Sequence, residues 1–343
     1  MTTWNGAASI GASIASILGQ SFTDFELVVV DDGSTDGTAT ILAGITDPRL
    51  RVLRPPRNLG IVGARNLGFA ACQGEYLAAL DHDDLSHPDR LARQVAHLDQ
   101  HAGVVLLGTG VEIESAGRRH AVDHPPRPTP LLLRWMLLVG NPFAWSSVMI
   151  RTAALHRLGG FLRPEAEYAD DFDLYHRLLT VGEADRLEAV LTTYRWHASN
   201  TTHTQGGPLN ARAATVLAEA YRPLLGKEAP AAAALVVRHL SDRQPVPDAA
   251  TLARLRDMLA RLLAGFCAGL PLASRAEVEA ATAWLWWRVV RAAVRSGNPA
   301  LIRLRARQPG LRRGFRPGMM DLAASLGIGL LRSQPGIRRL LMR

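Results

Sequence analysis

Residues 25–38 read FELVVVDDGSTDGT, an apolar run that stops on two aspartates and then breaks into turn formers. Branched apolar residues bounded by Asp, Gly and Ser are the pattern of a short strand buried on both faces. The arrangement recurs at 76–84, where YLAAL runs into Asp81-His82-Asp83-Asp84. Residues 51–53, 104–107, 147–150 and 189–194 supply further strand candidates. Helical patterns lie between them at 7–18, 38–43, 61–71, 88–97 and 171–180, with Pro88 in a first-turn position that tolerates it. Strands alternating with helices predict an α/β fold, a mostly parallel sheet flanked by helices.

From Gly206-Gly207-Pro208 onward the chain turns rich in Ala, Leu and Arg with helical periodicity. This divides the 343 residues into an α/β domain at 1–205, a helical extension at 206–300 and a basic tail at 301–343. An apolar content of 48% with 20% charged residues allows a sizeable core and excludes wholesale disorder. Cys72 and Cys267 are the only cysteines, which excludes a disulfide framework and a Cys-rich zinc site. No uncharged apolar run is long enough to span a bilayer and no signal peptide is evident, so the expected compartment is the cytoplasm. The net charge of +8 divides unevenly: residues 301–343 hold ten Arg and one acid, Asp321, whereas residues 1–300 sum to −1. Such a tail points to an anionic surface. Its sole aromatic is Phe315, so the stacking platform of a single-strand nucleic-acid binder is missing and no nucleic-acid partner is expected. Residues 319–331 with Arg338, Arg339 and Arg343 read as an amphipathic, basic-flanked helix for anionic lipid, or as an ordinary basic tail. Trp284-Leu285-Trp286-Trp287 reads as core, with an interfacial role as the alternative.

Three acidic clusters could carry chemistry: Asp31-Asp32, Asp81 to Asp84, and Asp170-Asp171 with Asp173. Two of them end strands, and in an open parallel sheet the carboxyl ends of strands face one ligand crevice. Carboxylates gathered there repel, so a cation or a hydrogen-bonded ligand must offset the repulsion. Each cluster also has a plainer reading as turn former or helix cap.

The order of motifs resembles the family-2 glycosyltransferases. VVVDDGSTDGT, Asn58-Leu59-Gly60 with Ala64-Arg65-Asn66, Gly74-Glu75-Tyr76, LDHDD with Pro88-Asp89-Arg90-Leu91, SSVMIR with Gly159-Gly160-Phe161, DDFDLYHR and YRWH follow one another from residue 2 to about 200. The resemblance implies the A-type glycosyltransferase fold and an inverting transfer of one sugar from a UDP- or dTDP-sugar. It implies that Asp32 contacts the base, that Thr2 and Trp4 flank it, and that Arg65 reaches the nucleotide. Asp81, Asp83 and Asp84 match the Asp-x-Asp site for Mn²⁺ or Mg²⁺, with Asp83 nearer the ribose, Asp84 on the metal, and His197 close to the metal or diphosphate. Asp171 falls on the catalytic base, although Asp170 stands where Glu is usual. Residues 131–146, with Asn141 and Trp145, match the acceptor side. A glycan or lipid-linked glycan of the cell envelope is the implied acceptor.

Two departures stand out. The apolar strand that opens such domains is missing before Thr2, which predicts unpaired backbone beside Val28–Val30 and a start upstream of Met1. Thr192 occupies the Gln position of the Gln-x-x-Arg-Trp motif of processive synthases, so one transfer per encounter is expected. A nucleotidyltransferase would carry a basic, Gly-rich loop where Trp4-Asn5-Gly6-Ala7-Ala8 stands. A non-catalytic binding module docked on a membrane or partner is the remaining alternative.

Overall fold

The computed structural model describes residues 1–122, 128–198, 200, 204–306 and 318–333. The opening motif forms β2 (Leu27–Asp31), buried along its whole length. It lies between β1 (Thr2–Thr3) and β3 (Leu50–Leu53) in a three-stranded parallel sheet. The strand expected to be missing is therefore present in short form. The Met1 ammonium donates to the Val28 carbonyl at 2.9 Å, Val30 N–H donates to Met1 O at 3.0 Å, and Asp32 N–H to Thr3 O at 2.9 Å. Backbone groups alone make a strand, and three residues suffice to satisfy this edge of β2. Below it, α1 (Ile10–Leu18) and α2 (Thr38–Ala43) pack through Ile10, Ile14, Ile17 and Leu42 against Leu27, Val29 and Leu80. Each such side chain, fully buried, contributes roughly 1.5–3 kcal/mol.

A second, mixed sheet runs β4 (Tyr76–Ala78), β8 (Met149–Arg151), β6 (Val104–Ser115), β9 (Glu183–Arg195) and β5 (Leu85–Ser86), with β7 (Arg118–Ala121) hairpinned on β6. β6 and β9 are parallel, and the other pairs are antiparallel. Strand direction depends on where the connections lead, which apolar runs do not encode. β6 and β9 also extend past the apolar runs that predicted them: β6 ends in four half-buried residues, Glu112–Ser115, and β9 alternates in exposure over its first half. The remaining helices of this region are α3 (Gly60–Ala71), α4 (Arg90–Gln100), α6 (Thr152–Arg157) and α7 (Asp170–Leu178). Helix α5 (Pro130–Leu137) precedes α6 in the chain.

Arg90 fixes where the second acidic cluster begins. It is fully buried, its Nη2 donates to the carbonyls of Ala79 and Val148 at 2.8 and 3.0 Å, and its Nε to Gln94 Oε1 at 3.0 Å. Gln94 in turn donates to the carbonyls of Leu107 and Ser147. Helix α4 thus ties the ends of β4, β6 and β8 together just ahead of Asp81.

The chain divides into two compact units, residues 1–134 with 141–212, and residues 135–140 with 213–343. The second is helical: α8 (Gly206–Leu225) from Ala213 onward, α9 (Ala229–Val236), α10 (Ala249–Phe266), α11 (Leu272–Arg295) and α12 (Met319–Ser333). In it Trp135 packs on Phe266 with ring centroids 5.3 Å apart, and Tyr221 Oη donates to Leu138 O. Trp286 and Trp287 are buried, consistent with a core role, and Trp284 is half-buried under Arg288. Gly329 brings α12 onto α11, since a Cβ there would sit 2.4 Å from the Val294 carbonyl oxygen. Among the described residues no helix is long and apolar enough to cross a membrane. α12 does form over the stretch read as amphipathic, with Met319, Met320, Leu330 and Leu331 exposed, while Arg338, Arg339 and Arg343 lie outside the described residues.

Candidate active site

The ends of β1, β2 and β4 meet in the first unit. Asp31 and Asp32 have different jobs there. Asp31 takes the Ser34 N–H at 3.0 Å and pairs with Arg54 at 3.2 Å, so it builds the turn that Gly33, at φ +81°, permits. Asp32 is buried: its Oδ1 accepts the Leu59 N–H at 2.7 Å, and its carbonyl accepts Asn58 Nδ2 at 2.7 Å. Thr2 is half-buried and Trp4 is 59% exposed beside this turn. The loop between them and α1 passes close to the acidic cluster, because a Cβ on Gly6 would fall 2.4 Å from Thr3 Oγ1 and 2.5 Å from His82 Cδ2.

Asp81, Asp83 and Asp84 bring one oxygen each to within 4.8 Å of one another. Asp84 is 1% exposed. Its Oδ1 accepts the Arg195 N–H at 3.0 Å, while its buried Oδ2 has no hydrogen-bond partner among the described residues. Burial and the neighbouring Asp81 and Asp83 push its pKa up to about 8. An orphaned buried oxygen amid three carboxylates fits a hard divalent cation, which prefers oxygen ligands. His197 Nε2 lies 3.0 Å from Asp83 Oδ2, and Asn200 Nδ2 donates to the same oxygen at 3.4 Å. Arg195 Nε bonds the Asp83 carbonyl, and its Nη2 donates to Ser13 Oγ at 3.0 Å. The end of β9 therefore brings Arg195 and His197 to the cluster.

Arg65, on α3, is buried and joins two of the acidic clusters. Its Nη2 donates to Asp81 Oδ1 at 3.0 Å, its Nη1 to Asp170 Oδ2 at 2.7 Å, and its plane lies 4.4 Å from the Trp145 ring centroid. Burial opposes the charge, yet Asp170 and Asp81 hold this guanidinium firmly protonated. Asp170, at the position that departs from the usual Glu, is thus the partner of Arg65. Asp173 pairs with Arg177 at 2.8 Å and Arg163 at 3.5 Å.

Asp171 is half-buried at the start of α7. Its Oδ1 accepts the Phe172 N–H at 2.7 Å and its Oδ2 accepts Asn141 Nδ2 at 3.0 Å. Burial and the Asp170 carboxylate push its pKa up to about 7. Of residues 131–146, the segment 135–140 belongs to the second unit, while Asn141 and Trp145 touch Asp171 and Arg65. Ser146, the last of residues 131–146, accepts the Asp81 N–H on its Oγ at 3.0 Å, and Asn200 is a site neighbour that the sequence does not mark. A single Asn carries no spacing signal that would mark it.

Residues 1–159 match the profile of the family described as Glycosyl transferase family 2. Over those residues the chain belongs to that family. EpsE of Bacillus subtilis (strain 168), named as a glycosyltransferase, is 33% identical over 187 residues, 53% of this chain. The succinoglycan biosynthesis protein ExoO of Rhizobium meliloti (strain 1021) is 40% identical over 119 residues, 35% of this chain. The matches span 66% of the first relative's length and 34% of the second's. Among solved structures, S. aureus TarS 1–349 in complex with UDP-GlcNAc superposes with a TM-score of 0.53 at 18% identity, over 95% of this chain and 89% of that one. The family-2 chain thus has the A-type glycosyltransferase fold, with its helical region at the C-terminal end.

Proposed function

We propose that the protein is an inverting, metal-dependent glycosyltransferase that moves one sugar per encounter from a UDP- or dTDP-sugar to an acceptor hydroxyl. The observation that carries this reading is the pair of hydrogen bonds that Arg65 donates, to Asp81 at 3.0 Å and to Asp170 at 2.7 Å. One buried cation ties the carboxylates that would hold a metal to the residue beside the expected base.

In this reading Asp81, Asp83 and Asp84 hold Mn²⁺ or Mg²⁺ with His197 at their side. Bound there, the ion supplies positive charge to the diphosphate leaving group. Asp32 offers Oδ2 to the imide N–H of uracil or thymine while Oδ1 is held by Leu59. Trp4 offers an exposed ring, and Thr2 stands at its side. Arg65 reaches the nucleotide side through Asp81 as a positioning residue. Asp171, oriented by Asn141, takes the proton from the acceptor hydroxyl as that oxygen attacks the anomeric carbon. TarS holds UDP-GlcNAc on this fold, in keeping with a uridine donor. The name of the Rhizobium relative favours a growing polysaccharide as acceptor, a cell-envelope glycan or its lipid-linked precursor. The basic tail supports peripheral contact with anionic lipid on the cytoplasmic face of the membrane.

Thermal shift with UDP, dTDP, GDP and CDP, each with and without Mn²⁺, tests the donor half. A ligand that binds only the folded state adds about 2.7 kcal/mol at a hundredfold excess over its Kd. One pyrimidine diphosphate should shift Tm in the presence of Mn²⁺, and Asp84→Asn should remove that shift. Asp171→Asn should keep it and lose about 10²–10⁴-fold in transfer. Equal loss of donor binding in both variants would contradict the roles given.

A further inference from the structure

Helix α12 sits on α11 the wrong way round for an amphipathic helix, because its polar side chains face the protein. Asp321 accepts Arg295 Nη2 at 2.8 Å and Trp287 Nε1 at 3.0 Å, and it pairs with Arg291 at 3.4 Å. Ser325 is fully buried and accepts Arg295 Nε at 3.0 Å. One turn further on, Gly329 lies against the Val294 carbonyl too closely for any side chain. Asp321, Ser325 and Gly329 follow at intervals of four, which makes them one stripe of the helix. A helix on a globular protein ordinarily turns its apolar stripe to the core and its polar one to water.

The other side of α12 is apolar and faces outward. Met319 and Met320 are 88% and 87% exposed, and Leu330 and Leu331 are 56% and 55% exposed. Between them the exposed positions are Ala323, Ala324 and Gly327. Rolling the helix to bury this face would break the bonds of Asp321 and Ser325 to Trp287, Arg291 and Arg295. An exposed apolar face held outward by a polar seat reads as an interaction surface.

The charge around α12 says what covers that face. Six arginines stand at 303–316, ahead of the helix, and Arg332, Arg338, Arg339 and Arg343 stand at its end or after it. Asp321, the sole acid of residues 301–343, is spent on α11. A second copy of the chain would bring a second excess of +9 to the same place and repel. A bilayer with anionic lipid offers the opposite charge and an apolar interior together.

We infer that the outward face of α12 seats in an anionic bilayer, at the boundary of headgroups and acyl chains, with the flanking arginines on the headgroups. This deepens the peripheral contact proposed above and stands apart from the transferase reading. Neither signal suffices by itself. A face of four large apolar side chains anchors weakly, as one acyl chain does, and arginines alone are screened by salt. The two act together at low salt, and raised salt releases the chain.

The test sediments the full chain at low ionic strength with phosphatidylcholine vesicles that contain phosphatidylglycerol. The wild type is compared with M320S/L330S/L331S, which keeps the charge and alters exposed side chains alone, and with L272S, which removes an exposed leucine from α11. The triple variant should bind at least about tenfold more weakly, and L272S as the wild type does. Triple-variant binding equal to that of the wild type overturns the inference and leaves the contact to the arginines. An equal loss in L272S overturns it as well. Absence of vesicle binding in the wild type overturns it together with the peripheral contact, while nucleotide-induced thermal shift remains the separate test of the transferase. Hydroxyl-radical footprinting of the wild type needs no variant. Anionic vesicles should protect Met319 and Met320, and unprotected methionines in vesicle-bound protein overturn the seating. Protection without vesicles that grows with protein concentration, with a dimer seen by light scattering, assigns the face to a second copy and also overturns it.

Discussion

As the proposed base, Asp171 would act only as a carboxylate, and its surroundings set when it becomes one. With a pKa near 7, transfer should rise with pH, reach half its maximum near pH 7 and level off above about pH 8. Asn141→Ala removes a hydrogen bond that favours the charged form, so it should move this limb to higher pH. A limb that stays put in that variant would deny Asn141 its orienting role. The same shift has a stability consequence. The folded state keeps the proton above the ordinary carboxyl value of 3.8, so stability from this group is lost as pH rises from about 4 to about 7. Tm of Asp171→Asn should therefore fall less over that window than Tm of the wild type. Arg65→Met leaves Asp170 buried without its cation and should destabilise by about 3–5 kcal/mol, read by denaturant unfolding. Arg65→Lys should recover only part of this, since an ammonium cannot span both carboxylates as the planar fork does.

At the scale of elements, close approach does the positioning. Gly6 is the point where the loop after β1 passes the acidic cluster, and Gly6→Ala should cost about 1–3 kcal/mol and weaken donor binding along with stability. Gly329→Ala, on α12, should cost a similar amount, about 1–3 kcal/mol, without altering donor affinity. A loss of nucleotide-induced thermal shift in Gly329→Ala would break that distinction. Helix positions were readable because apolar residues recur at helical spacing, as Ile10, Ile14 and Ile17 do on α1. The short β1 was not, because two threonines have no apolar signature and their strand exists only through backbone pairing with β2.

The whole molecule is electrically divided along the chain, with the excess of +9 confined to residues 301–343. Binding to vesicles containing anionic lipid should accordingly be strong at low salt and fade as the Debye length drops below about 10 Å near 0.1 M. Salt-insensitive binding would instead point to apolar insertion by the exposed face of α12. The split into two units also refines the linear reading, because residues 135–140 leave the α/β portion to pack among the helices of the second unit.

The amino-acid sequence by itself determined the class of fold, the buried β2, the three acidic clusters and the family, because those rest on local periodicity and on motifs read in order. Only the tertiary structure decided which carboxylate does what. Asp31 serves a turn and Asp32 does not, Asp170 serves Arg65 and Asp171 does not, and each member of a pair is the same residue type beside its twin. The bonding partners of Asn141 and Ser146, and the presence of Asn200 at the site, were decided in the same way. The role of a carboxylate depends on its burial and on the groups that bond it, and those neighbours come from segments up to 117 residues away in the chain.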